Sequence, residues 1–191
     1  MGQPAPGIDL SIIRITDEPI TEWSEVTLLP PGEIGEICVM GEVVTHEYKN
    51  APGHTAAAKI LREGGVCHRM GDVGYLDEAG RLWFCGRKTH RVTIENGDDM
   101  YTVPCEAIFN EHPEVYRTAL VGVEGAPVIV VEREPGSSTT EADLTRQLLV
   151  MGQGSPLTAS IEQVRFHPAF PVDVRHNAKI HRGELAEWAA R

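Results

Sequence analysis

Three side chains of this sequence have the types and spacing to act on one activated nucleotide. Residues 71 to 88 read GDVGYLDEAGRLWFCGRK, and residues 171 to 185, PVDVRHNAKIHRGEL, hold an isolated lysine, Lys179. Asp72 sits in a Gly-Asp turn, where its carboxylate can accept the two hydrogen bonds a vicinal ribose diol offers. Arg87 ends the strand after the next turn and carries a fork of donors suited to a phosphate or ribose oxygen. Lys179 is one of only four lysines, beside Lys49, Lys59 and Lys88, in a chain that otherwise uses Arg. A flexible ammonium reaches into a closed cleft as a point charge. Each residue has a plain alternative: Gly-Asp is a common turn, Arg87 suits a solvated strand end, and most lone lysines are surface charges. Phosphate chemistry needs both fixed anchors and a mobile cation, and the order of these residues supplies them together.

The elements that must hold these residues follow from periodicity. Ile8 to Ile15 and Ile34 to Met40 alternate apolar and polar side chains, as half-buried strands do, which suggests a small barrel or sheet. Ala51 to Glu63 reads as a helix, with Pro52 in its first turn and Ala56, Ala57, Ala58, Ile60 and Leu61 supplying propensity. Cys67 to Leu76 and Arg81 to Gly86 form a hairpin across Asp77-Glu78-Ala79-Gly80, with Asp72 and Arg87 on neighbouring strands.

After Arg87 the polar, basic RKTHRV separates turn-linked strands from strands alternating with helices, and a domain boundary is placed there, giving 1–87 and 88–191. Asn96-Gly97 marks a hairpin within Arg91 to Thr102, Pro104 opens a helix over Val103 to Glu111, and Tyr116 to Val123 and Val128 to Glu132 are strands. Ser138 and Glu141 form a capping box for a helix through Leu149. A strand over Gln163 to His167 precedes the lysine loop and a closing helix from Gly183 to Ala190. The predicted fold class is α+β: a strand-rich small barrel or sheet, then a compact α+β unit of about 100 residues.

Three segments, in this order, resemble the adenylate-forming superfamily of acyl-CoA synthetases, firefly luciferase and peptide-synthetase adenylation domains. PPGEIGEICVMGEVVTHEYKNAPGHTAA, Pro30 to Ala57, resembles the family's Gly-Glu strand pair, tyrosine and Pro-Gly helix start. The stretch from Asp72 to Arg87 is the second, and the sequence around Lys179 resembles the C-terminal lysine loop, with Asn177-Ala178 where a Gly usually precedes the lysine. PVDVRHNAKI is most similar to the β-lactone synthetases of bacterial long-chain olefin biosynthesis, which also go by the name fatty-acid CoA ligases. MGQPAPGIDLSIIRI resembles the stretch after the family's acidic motif.

The resemblance implies a C-terminal lid domain of the acyl-CoA synthetase type after residue 87, with a hinge that Lys88 matches by type and Thr89 by position. It implies Asp72 on the ribose hydroxyls, Arg87 at ribose or phosphate, Phe84 beside the nucleotide, and Lys179 as the cation for the adenylation transition state. Phe84 reads equally as a core aromatic on an alternating strand. ATP is then a substrate, AMP a product and Mg2+ a required ion whose ligands lie outside these residues. The acyl partner is a long-chain fatty or β-hydroxy fatty acid. A β-lactone forms if the substrate's own hydroxyl attacks the acyl-adenylate, and a thioester forms if coenzyme A does. A non-catalytic nucleotide-binding or interaction module is a further alternative, and it would leave Lys179 no substrate site to enter.

The family's Ser/Thr/Gly-rich phosphate loop ending in Lys is not found in these residues, nor is the tyrosine-glycine-x-threonine-glutamate motif whose acid holds magnesium. The chain by itself is therefore expected to bind Mg-ATP poorly. The simplest account is a fragment lacking the N-terminal AMP-binding domain, with Met1 a start introduced by truncation.

A net charge of -11, with 17 basic residues spread along 191, gives no basic stripe for a nucleic acid. Cys38, Cys67, Cys85 and Cys105 form no C-x-x-C pair, which speaks against zinc or a redox dithiol and fits a reducing cytoplasm. No metal site is expected: His176 and His181 are five apart and lack a carboxylate pair, although His176 is placed to tune the charge around Lys179. No 18-residue apolar run or signal sequence is seen, so membrane insertion is not expected.

Overall fold

The computed structural model describes residues 2–191, apart from the side chains of residues 176–178. Met1 and the His176 side chain, to which sequence-based roles were given, lie outside the described residues. The chain divides into two compact units, Met1–Thr89 and His90–Arg191.

Unit 1 is built on one five-stranded antiparallel sheet. Strands β1 (Asp9–Ile13), β2 (Gly35–Met40), β3 (Lys59–Arg62), β4 (Gly65–Leu76) and β5 (Leu82–Arg87) pair in the order β1-β2-β4-β3, with β5 also on β4. The 12-residue β4 is long enough to pair with β2, β3 and β5 along its length. The sheet stays open; among the described residues no closed barrel forms, which corrects the barrel alternative. Ile13, Ile20, Cys38, Ile60 and Cys67 form its core.

The helix expected over residues 51–63 is shorter: α1 spans Pro52–Ala58, and the chain then becomes β3. Ile60 is fully buried while Leu61 is 57% exposed, the period-two pattern of a strand. Arg62 pairs with Gly65, and Gly64 at φ 85° makes the tight turn that returns the chain onto β4. Pairing with β4 outweighs the helical propensity of the alanines.

Unit 2 starts with a two-stranded ribbon, β6 (Val92–Thr93) and β7 (Asp99–Met100), closed across Asn96-Gly97. Helix α2 (Thr102–Phe109) follows, then the hairpin of β8 (Val115–Val123) and β9 (Ala126–Arg133), helix α3 (Glu141–Gln153) and β10 (Gln163–Phe166). β10 runs parallel to β9, so α3 is the crossover of a βαβ unit, and the sheet order β10-β9-β8 leaves β8 at an edge. Alternate residues of β8 and β9 feed two cores. Leu120, Ile129 and Val131 pack with Phe109, Leu144 and Leu148, while Ala119, Val121, Val128 and Val130 pack with Leu185 of the last helix.

α3 is capped by Thr140 rather than Ser138: the Thr140 hydroxyl accepts from the Asp143 amide at 3.1 Å. Arg133 holds the preceding loop, donating to the Ser137 hydroxyl at 2.7 Å and to the Thr139 carbonyl, and this delays the helix start. The lysine segment, expected as a loop, is a strand. β11 (Val172–Asp173) and β12 (His176–Ile180) make a small antiparallel arm, followed by α4 (Arg182–Ala189). Among the described residues no helix is long and apolar enough to cross a membrane.

Candidate functional site

Asp72 lies on β4 and Arg87 is the last residue of β5, and the two are directly opposed in the ladder. Their pairing depends on an irregularity. From the turn the register runs Leu76 with Leu82, Tyr75 with Trp83 and Gly74 with Phe84, then shifts so that Val73 faces Gly86 and Asp72 faces Arg87. Cys85 is the extra residue of this bulge; its side chain is buried, and burial pushes the thiol up to about 11. With a regular ladder Asp72 would face Gly86.

The turn closing this hairpin is held by Asp77. One carboxylate oxygen accepts from the Ala79 amide at 3.0 Å and the Arg81 amide at 2.9 Å; the other accepts from Arg81 Nε at 2.7 Å and Trp83 Nε1 at 2.9 Å. The Trp83 bond, then the Arg81 bonds, hold the Asp77 carboxyl well below the usual carboxylate range. Gly80, at φ 70°, takes the left-handed position.

Asp72 Oδ1 lies 2.9 Å from Arg87 Nη1, yet it is buried without a hydrogen bond of proper geometry, so the contact is coulombic. Burial raises the Asp72 carboxyl above its ordinary value, and Arg87 opposes the rise. The Arg87 side chain is 57% exposed and makes a long contact of 3.5 Å to the Met70 carbonyl. The pair thus sets a carboxylate oxygen that is shielded from solvent and lacks a hydrogen bond beside a largely solvated guanidinium. Phe84, half-buried, lies three residues back on β5 opposite Gly74.

Lys88 and Thr89 fall in a single 3-10 turn, Lys88–His90. Lys88 Nζ donates to the Thr16 carbonyl at 3.0 Å and lies 3.4 Å from Glu36 Oε2, while Thr89 is exposed. Glu36 is 1% exposed and is neutralised mainly by Arg69, whose Nη2 and Nε donate to Oε2 at 2.7 and 3.1 Å. Arg69 also donates to the carbonyls of Thr16, Glu18 and Ala57, so its fork is satisfied within unit 1. A cleft of about 620 Å³ lies over this cluster, lined by Glu36, Arg69, Gly71, Lys88, Thr89 and Tyr48. Sequence reasoning missed the Glu36–Arg69 pair; the available signal was a charged residue at an inward position of each alternating strand.

Lys179 lies in unit 2, on β12, with an exposed side chain. It adds to the field on Asp173, whose carboxyl Arg175 chiefly, and Lys179 and His181 to a lesser extent, hold below its ordinary value. The base of the arm is fixed where Val172 pairs with Ile180 and the His181 amide donates to the Pro171 carbonyl at 2.9 Å. The four cysteines are free thiols, all buried. Among the described residues no group of three His, Cys, Asp or Glu is placed to hold a metal ion.

No protein-family model matches the chain. It is 48% identical over 201 residues to an olefin β-lactone synthetase of Xanthomonas campestris pv. campestris, an alignment covering 100% of this chain and 36% of that protein. It is also 48% identical over 191 residues to the olefin β-lactone synthetase of Stenotrophomonas maltophilia, covering 95% of this chain and 34% of the relative. ATP-bound MatB from Rhodopseudomonas palustris shares its fold with a TM-score of 0.77 at 26% identity, over 99% of this chain and 35% of that one. The chain thus spans about a third of the length of each. In sequence and in fold it belongs to the adenylate-forming superfamily of AMP-forming synthetases and corresponds to the C-terminal portion of its members.

Proposed function

We propose that this chain is the C-terminal part of an ATP-dependent enzyme that adenylates a long-chain β-hydroxy carboxylate and converts the acyl-adenylate to a β-lactone. The observation that carries this reading is the pairing of Asp72 with Arg87 across the ladder, in a chain 48% identical to olefin β-lactone synthetases. Asp72 accepts the ribose hydroxyls, Arg87 steadies a ribose or phosphate oxygen, and Phe84 flanks the nucleotide. Residues 1–87 belong to the large AMP-binding domain, whose N-terminal part supplies the phosphate loop and the Mg2+ ligands. Residues 88–191 are a lid that turns at Lys88 and Thr89 to bring Lys179 to the nucleotide.

In the first step the substrate carboxylate attacks the α-phosphorus of ATP and pyrophosphate leaves. Negative charge grows on the phosphoryl oxygens, and the Lys179 ammonium stabilises it more in the transition state than in the ground state. In the second step the substrate's β-hydroxyl attacks the acyl carbon, the acyl–phosphate oxygen bond breaks, and AMP departs with the bonding pair. The hydroxyl proton passes to solvent.

Full-length protein supplied with ATP and a long-chain β-hydroxy acid, without coenzyme A, should release pyrophosphate and yield lactone detectable by NMR. Product formed only when coenzyme A is added, as a thioester, replaces the lactone reading with that of a fatty acyl-CoA ligase. No pyrophosphate release under either condition leaves the chain as a nucleotide-binding or interaction module.

A further inference from the structure

Glu106 and Arg182 form a nearly buried ion pair in unit 2, with side chains 11% and 15% exposed. Arg182 Nη2 donates to Glu106 Oε2 at 2.9 Å, and Nη1 donates to Oε1. The pair also closes on an edge strand. The Leu120 amide donates to Glu106 Oε1 at 2.8 Å, and the Leu120 carbonyl accepts from Arg182 Nη1 at 3.3 Å. β8 has β9 on one side only, so Leu120 presents an otherwise unpaired amide and carbonyl. One carboxylate and one guanidinium therefore take the place of a neighbouring strand.

Glu106 lies on α2, which packs with Phe109 on one face of the β8–β9–β10 sheet. Arg182 opens α4, which packs with Leu185 on the other face. The pair ties the two helices together around the strand edge. Arg182 is also the third residue after Lys179, separated from it only by Ile180 and His181. The arm of β11 and β12 projects beyond this anchor: Val174 at its tip is 95% exposed and Lys179 is exposed. Among the described residues no hydrogen bond or ion pair holds the exposed Lys179 side chain. The arm meets the body at the Val172–Ile180 pair, the His181 amide and Arg182.

We infer that Glu106 and Arg182 are positioning residues for Lys179, fixing the start of α4 to the β8 edge and thereby aiming the arm that carries the lysine. This rests on the reading of Lys179 given under Proposed function. Arg182→Lys keeps the charge but cannot hold Glu106 and the Leu120 carbonyl at once, and Glu106→Gln keeps the shape but not the charge.

The test is ATP–pyrophosphate exchange by full-length protein in wild-type and Lys179→Ala backgrounds, with urea unfolding run on each variant. In the wild-type background Arg182→Lys should lower the exchange rate about a hundredfold with little change in the KM for ATP, as expected for a misaimed group. In the Lys179→Ala background the same change should cost nothing further. An equal loss in both backgrounds makes the pair a fold element and overturns the inference, as does an unchanged rate in the wild-type background. If Arg182→Lys does not fold, Glu106→Gln is read the same way, and an unfolded Glu106→Gln also overturns it. Exchange unaffected by Lys179→Ala alone would instead remove the role of the lysine, a separate result.

Discussion

Arg87 faces Asp72 because Cys85 is one residue too many in β5: the bulge it makes turns a Gly86 pairing into an Arg87 pairing and sets Nη1 2.9 Å from Oδ1. The same geometry leaves that oxygen buried and without a hydrogen bond, a cost to the fold.

Asp72→Asn should therefore weaken AMP binding by full-length protein while raising its thermal stability at neutral pH. Burial raises the folded-state Asp72 carboxyl above its unfolded value, so the wild type is relatively favoured below the unfolded value and loses that advantage as pH rises through the folded one. The stability gain of the variant should shrink as pH is lowered. Melting curves across pH and equilibrium AMP binding check both halves; unchanged AMP affinity contradicts the diol contact.

Lys179→Ala should leave folding intact, because the side chain is exposed, and lower acyl-adenylate formation by about 10²-fold or more. Pyrophosphate release, followed beside far-UV circular dichroism, decides it. A near-normal rate removes the lysine from the chemistry.

Arg69→Ala strips the neutralising partner from a carboxylate that is 1% exposed and should destabilise unit 1 by about 3–5 kcal/mol. Denaturant unfolding measures this. Lys88→Met, which leaves the Arg69–Glu36 pair in place, should cost clearly less.

Thr89→Pro tests the turning point. Thr89 is exposed and follows Lys88, which is held to Thr16 and Glu36, so backbone rotation there disturbs little packing. A proline should hold one pose and slow one half-reaction more than the other. Wild-type rates for both would move the hinge elsewhere.

Asp77→Ala should lower the melting temperature and alter Trp83 fluorescence, since Asp77 joins the turn to the Trp83 ring nitrogen. The bond from Trp83, with those from Arg81, holds the folded-state carboxyl below its unfolded value. Its contribution is therefore complete above the unfolded value and fades as pH falls, so variant and wild type should converge in acid.

Much of the fold could be read from local pattern. Alternation located β1 and β2, the Asp77 to Gly80 turn located the β4–β5 hairpin, and Asn96-Gly97 located the β6–β7 ribbon. Errors arose where partners distant in sequence decided the outcome. Lys59 to Arg62 follow an alanine run that favours helix and become a strand because β4 offers an edge. Ser138 has the cap chemistry, but Arg133 shapes the loop so that Thr140 takes the role.

The sequence by itself determined which residues have the types proposed for the chemistry, since side-chain type and local spacing are written in it: an acid after a glycine, an arginine at a strand end, and a lysine among arginines. Only the tertiary structure decided that Asp72 faces Arg87. The Cys85 bulge, the burial of Glu36 against Arg69 and the closing of Glu106 and Arg182 on Leu120 depend on contacts between residues far apart in the chain, and no local pattern encodes them.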